Sequence, residues 1–200
     1  MPERKPRADA VRNREAVLAA ADRLFASCDR PEQVTMADIA VAAGVGKATL
    51  FRGFTDRTGL IRALYEARLE PIRRAITDGP RPLGPDTPPM ERALALLDAV
   101  LCFKLDHRHL SLALEAAGTD SPYGADHYDW WHGTLRRVLE QLPGLDGSDF
   151  AAHALLAAVR ADLVDHLVDR QHMTREQLRA ELAAFVTRVL TESGELSPSP

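Results

Sequence analysis

The chain has 200 residues, 46% hydrophobic and 27% charged, an ordinary composition for a soluble protein with enough length for a sizeable core. No apolar run reaches the roughly 18 residues a membrane span needs, and Met1 to Ala10 lacks a signal peptide's apolar stretch, so a cytoplasmic protein with no membrane partner is expected. Cys28 and Cys102 stand far apart without metal spacing, which argues against a disulfide framework or a zinc knuckle. The net charge of −4 is unevenly laid out: residues 1–75 carry 14 Lys+Arg against 10 Asp+Glu, whereas residues 76–200 carry 11 against 19 and all seven histidines. A basic front on an acidic body suggests that one segment faces polyanions while the other does something else.

Alanine (31) and leucine (27) are the most abundant residues, and strand-like alternation of β-branched and aromatic residues is nearly absent, so the expected fold is all-α. Val17, Ala20, Ala21, Leu24 and Phe25 draw one apolar stripe on a first helix over 12–26, preceded by a basic arm of Arg4, Lys5, Arg7, Arg12 and Arg14. Thr35, three residues before Asp38, predicts the N-cap of a short second helix with Met36, Ile39, Ala40 and Ala43 on one face. That helix ends at Gly44, which can take a left-handed backbone. Lys47 to Gly53 is a third short helix anchored by Leu50, and Thr55-Asp56 caps a fourth that runs from about Arg57 until Pro71 kinks or ends it.

Gly79 to Pro89 holds five prolines in eleven residues and predicts a stiff loop, with a domain boundary at 75/76. Helical patterns follow at Met90 to Leu105, His109 to Ala117, Ser121 to Leu142 and Ser148 to Arg170. A final pattern opens with the capping box Thr174-x-x-Gln177 and carries Leu178, Leu182, Phe185, Val186 and Val189. The second domain is thus 76–191, and the Ser/Pro-rich tail 192–200 is expected to be disordered. The last two apolar stripes are too long for one small domain, which predicts that they pair with those of a second copy in an intersubunit four-helix bundle.

Two short helices joined by a glycine turn are what a helix-turn-helix requires: one braces on the DNA backbone and the other enters the major groove. The string from Val34 to Phe54, preceded by Ala20 to Phe25, resembles the N-terminal domain of the tetracycline-repressor (TetR) family of transcriptional regulators. Its matching points include Ala21, Leu24, Phe25, Thr35, Asp38, Ile39, Ala40, Ala43, Gly44, Val45, Leu50, Phe54 and Leu60. The resemblance implies a three-helix DNA-binding domain, a helical C-terminal domain that dimerises and binds a small-molecule effector, and repression through a palindromic operator. The chain departs from the family pattern at Gly46, where a Ser usually caps the recognition helix, and at Phe51, where the usual Tyr offers a hydroxyl. Gly53 and Gly59 replace usual polar residues, and Arg57 replaces a Lys and keeps the cation.

The candidate DNA-binding residues are Thr35, Lys47, Ala48, Thr49, Phe51, Arg52 and Arg57. Thr35 offers a hydroxyl at a helix N-terminus, Lys47 reaches a phosphate or a guanine edge, Arg52 suits bidentate guanine readout, and Ala48 and Thr49 are small enough to lie on thymine methyls. Gly44 to Thr49 fails as a phosphate loop, which would require Gly at Val41 and Ser or Thr at Ala48. A helical metal-dependent hydrolase is the rival class; the Asp-His dipeptides at 106, 126 and 165 are in the reverse order of such an enzyme's dyad, and no nucleophile elbow appears. No catalytic residue, metal site or cofactor is therefore expected. His107 and His109, two apart, and His127 and His132, five apart, are badly spaced for chelation on one helix.

Tyr123, Tyr128, Trp130 and Trp131 crowd into one short segment and are the candidate wall of an effector pocket, with core packing as the competing account. Adjacent tryptophans point about 100° apart on a helix, so at most one can sit fully in the core. The acidic body favours a mostly apolar or aromatic effector that is neutral or cationic, unless Arg92, Lys104, Arg108 or Arg136 lines the cavity.

Overall fold

The computed structural model describes residues 4–27, 33–116, 126–145 and 147–195; within them every regular element is helical apart from turns. In chain order these are α1 (Arg4–Ser27), α2 (Met36–Ala43), α3 (Lys47–Gly53), α4 (Arg57–Asp78), α5 (Pro89–Asp106), α6 (Arg108–Ala116), α7 (Asp126–Leu139), α8 (Ser148–Ala157), α9 (Ala161–Asp169) and α10 (Arg175–Glu195). The chain divides into two compact units, Met1–Arg68 and Leu69–Pro200. The division falls inside α4, earlier than the 75/76 boundary that composition suggested.

In the first unit α1 packs on α2 and α3. Val17, Ala20, Ala21 and Phe25 from the predicted stripe are buried with Ile39, Ala40, Leu50, Phe54, Leu60 and Leu64. α2 starts on a complete capping box: the Asp38 N–H donates to Thr35 Oγ1 at 3.2 Å, and the Thr35 N–H donates to Asp38 Oδ2 at 3.0 Å. It stops at Gly44, whose φ of 66° is the left-handed conformation that releases the chain into α3. Asp56 caps α4 by accepting the Gly59 N–H at 2.7 Å.

Four boundaries differ from the sequence expectation. α4 continues through Pro71 to Asp78, since a proline removes one amide donor without forbidding the next turns. α1 begins at Arg4, so the basic arm is helical backbone and not an extended strand of cations. The single pattern over 148–170 is two helices, with Arg160 extended at φ −60°, ψ 144° before the second, because apolar spacing alone does not register a three-residue break in an Ala/Leu-rich run. α10 reaches Glu195, past the start of the expected tail.

The second unit is organised on α5, which packs against α6, α7, α9 and α10, while α7 lies on α8 and α6 on α9. Leu96, Leu97, Leu110, Leu135, Leu139 and Leu155 form its fully buried centre. The proline-rich segment is folded onto this unit. Arg92 donates to the carbonyl of Leu83 at 3.0 Å and to that of Ile76 at 2.9 Å, and Gly84 and Thr87 are buried. A Cβ at Gly84 would lie 1.8 Å from the Gly79 carbonyl oxygen, so only glycine fits there.

Candidate nucleic-acid interface

The recognition element is short and held from one side. Leu50 alone of α3 is buried, and its neighbours Lys47, Ala48, Phe51 and Arg52 are exposed with Thr49 half-buried. Phe51 keeps 51% of its surface exposed. Among the described residues no hydrogen bond or ion pair engages Lys47 or Arg52. Two cations, two small side chains and an aromatic ring thus share the open side of one helix, a set suited to phosphate contact, base-edge readout and apolar contact together.

Arg14, the last cation of the basic arm, positions this helix. It donates to the Gly53 carbonyl at 3.4 Å and stacks its guanidinium 4.7 Å above the Phe54 ring, fixing the C-terminal end of α3. Beside it a cavity of about 410 Å³ runs between α1 and α3, lined by Asp9, Asn13, Arg14, Thr49, Arg52 and Phe54. Arg12 pairs with Asp9, which further reduces the free charge at the start of α1.

Two predicted contacts are committed to the fold. The Thr35 hydroxyl donates its one proton to Asp38 Oδ2 at 2.6 Å and accepts the Asp38 amide, and these bonds hold the Asp38 carboxyl below the usual aspartate range. Arg57 Nε donates to the Val34 carbonyl at 3.3 Å, and the guanidinium lies 5.5 Å from the Phe25 ring centre, bracing the segment that enters α2. The Thr35 arrangement follows from its three-residue spacing to Asp38, whereas that of Arg57 does not, since Val34 lies 23 residues earlier in the chain.

In the second unit the aromatic segment is split. Tyr123 lies outside the described residues. Trp131 is buried at 4% exposure and its indole N–H has no partner among the described residues, while Trp130 is half-buried, edge-on to Trp131 at 4.8 Å and beneath the Arg73 guanidinium at 5.0 Å. Tyr128 turns toward α8, with its hydroxyl 2.5 Å from His153 Nδ1. The four cations considered for an anionic effector are all engaged internally. Arg92 holds two carbonyls, Lys104 pairs with Glu115 at 2.7 Å, Arg108 with Asp165 and Asp169 at 2.6 Å each, and Arg136 with Glu140 at 2.9 Å.

Residues 17–64, which hold most of α1, all of α2 and α3 and the start of α4, match the family profile described as bacterial regulatory proteins, tetR family. That segment is a tetR-family DNA-binding domain. The chain is a DNA-binding transcriptional regulator, with α3 as the recognition helix of its helix-turn-helix. Over 184 residues the chain is 23% identical to an HTH-type transcriptional regulator of Staphylococcus aureus (strain MRSA252), covering 90% of this chain and 95% of that one. Its fold is similar to that of a Rhodococcus sp. protein assigned to the TetR-family regulators, with a TM-score of 0.67 at 21% identity, covering 90% of this chain and 99% of that one. It is also similar to the Thermus thermophilus FadR, a TetR-family transcriptional repressor in complex with lauroyl-CoA, with a TM-score of 0.61 at 19% identity over 94% of this chain and 97% of that one. Among the described residues no helix is long and apolar enough to cross a membrane.

Proposed function

We propose that the chain is a cytoplasmic, non-enzymatic homodimeric repressor that leaves a palindromic operator when a small molecule binds its C-terminal domain. Residues 1–75 read DNA through Lys47, Ala48, Thr49, Phe51 and Arg52, with Thr35 and Arg57 supporting the frame, and residues 76–191 dimerise and take the effector. The observation that carries the reading is the exposed, unpaired cation set on a recognition helix within a TetR-family domain. Dimerisation is supported by apolar side chains left in water on α8, α9 and α10: Phe150 at 78%, Leu163 at 38% and Phe185 at 42% exposure. A two-fold protein reads two half-sites, hence the palindrome.

The effector is mostly apolar or aromatic. Trp130 and Trp131 supply ring surface, and the buried Trp131 N–H is a donor that a ligand acceptor would satisfy. The similar T. thermophilus repressor holds a ligand with an acyl chain, which supports an apolar pocket in this fold; its anionic coenzyme part differs from the neutral or cationic effector favoured here by the internally paired cations. Release requires the effector to bind the non-DNA-binding conformation better, and a hundredfold preference is about 2.7 kcal/mol.

The test is to sequence the genomic fragments that the purified chain retains, then measure affinity for the recovered site as a function of salt. A palindromic consensus bound by a particle of twice the 22.0 kDa chain mass is the expected result. Retention of random fragments, or a monomer bound to a single half-site, would overturn the reading. Effector candidates are then screened by tryptophan fluorescence together with operator release, with neutral, cationic and anionic members in the set.

A further inference from the structure

The aromatic segment contributes to a second constellation that no single-helix spacing shows. Tyr128 and His132 are four apart on α7, and Asp149 and His153 are four apart on α8, so each pair shares one face of its helix. Because α7 lies on α8, these faces meet. One donor atom each from His132, Asp149 and His153 falls within 4.8 Å of the other two. The His132 and His153 rings stack at 3.8 Å between centroids, and His132 Nε2 is 3.5 Å from Asp149 Oδ1. Both histidines are half-buried while the Asp149 side chain is 70% exposed, so the cluster is anchored in the protein and open to solution on one side.

We infer that His132, Asp149 and His153 form a site for a divalent first-row transition metal, of which Zn²⁺ fits best. Two imidazoles and one carboxylate are a donor set for Zn²⁺, with a fourth position left to water or another ligand; Ca²⁺ and Mg²⁺ would require more oxygen. Tyr128 is the orienting partner. Its hydroxyl lies 2.5 Å from His153 Nδ1; in the metal-bound form it would accept that nitrogen's proton and leave Nε2 as the ligating atom, the outer-shell arrangement typical of metal-bound histidine. Closing the three donors onto one ion ties α7 to α8. The inference is independent of the proposed regulation by an organic effector, because it is read on the metal alone without DNA.

The experiment is a Co²⁺ titration of the full chain, free of any affinity tag, followed by visible absorption and by competition with Zn²⁺. Expected are the d–d bands of a four-coordinate ion, saturation at one Co²⁺ per chain, and their loss on adding Zn²⁺. His132→Ala and His153→Ala each weaken binding by more than the roughly 10- to 100-fold that an outer-shell change costs, and Tyr128→Phe falls inside that range. His166→Ala, on α9, binds like the unaltered chain. A second measurement needs no substitution: paramagnetic Co²⁺ should broaden the imidazole proton signals of two histidines first, assigned to His132 and His153. The absence of saturable binding, wild-type affinity in His132→Ala or His153→Ala, or first broadening at other histidines would each overturn the site.

Discussion

The charged side chains of α3 and those joining α6 to α9 live under opposite constraints. On α3, Lys47 and Arg52 stand in solvent on a helix of which Leu50 alone is buried. In the second unit Lys104 and Glu115 are almost withdrawn from water, at 12% and 14% side-chain exposure. Glu115 accepts the Ala161 N–H through both oxygens at 3.0 Å, so one carboxylate neutralises a lysine and caps α9, whose own N-cap residue Arg160 supplies no side-chain cap. Burial pulls the Lys104 ammonium below its ordinary value against the opposing pull of Glu115. Charge that recognises a polyanion must be left unpaired by the protein; charge that specifies a fold must be paired within it.

This contrast fails first, if it fails, at Glu115. Glu115→Ala should lower unfolding free energy by about 3 kcal/mol, because it strands a buried ammonium and an amide together. Adding Lys104→Met should recover a large part of that loss in urea denaturation; a single-variant loss under about 1 kcal/mol would place the pair among solvated surface bridges.

Next come the α3 cations, which should show the reverse signature. Arg52→Ala should leave stability within about 0.5 kcal/mol of the parent but cost roughly 1–3 kcal/mol of operator affinity at one base position. Lys47→Ala should weaken binding to all sequences and flatten the salt dependence, as loss of a phosphate contact does. Binding titrations on operator variants at several salt concentrations separate the two. Equal losses for Arg52→Ala on every variant would make it a second phosphate contact.

Thr35→Ala probes the frame and should cost about 1 kcal/mol of stability. Its hydrogen bonds hold the Asp38 carboxyl below the usual range, so their contribution is complete above the unfolded aspartate value near 4 and is lost as pH falls through the lower folded value. The Thr35→Ala penalty should therefore shrink between neutral and acidic pH. Thermal unfolding of both chains across that window checks it, and a penalty that grew on acidification would reverse the assigned sign.

The smallest effect concerns the recognition helix itself. Gly46 sits at φ −69°, ψ 146° with no side-chain cap, and a Cβ there would meet nothing within 4 Å. Gly46→Ser should stabilise the chain by about 0.5 kcal/mol through a new cap and a stiffer unfolded chain. Hydrogen exchange of the α3 amides should slow in parallel.

The first unit was legible because its signals are local. Thr35 with Asp38, Gly44, the Val17 to Phe25 stripe and Asp56 each act within one turn of the chain, where sequence order and spatial order agree. The roles of Arg14 and Arg57 were hidden, because a cation's choice between DNA and a backbone carbonyl such as that of Gly53 or Val34 depends on tertiary approach. Phe185 was placed on one stripe with Leu178 and Val186, yet those two are buried while it is 42% exposed. Apolar residues lie around much of α10, so several stripes can be drawn on it and only packing selects one. The tryptophan geometry was readable from the helical angle, and Trp131 is the buried member. His132 and His153 were unreadable as partners, since their proximity comes from α7 meeting α8.

Composition marks the proline-rich segment as the place to cut the chain or to graft in a reporter, because such stretches usually join domains loosely. Here Arg92 grips the carbonyls of Leu83 and Ile76, Thr87 and Gly84 are buried, and Arg81 is followed by Pro82, a bond trypsin hydrolyses poorly. A tag or fluorescent domain spliced between Pro80 and Pro88 would enter the turn whose Leu83 carbonyl Arg92 holds. For anyone building a sensor from this regulator, the stretch that looks most expendable is among the worst places to insert.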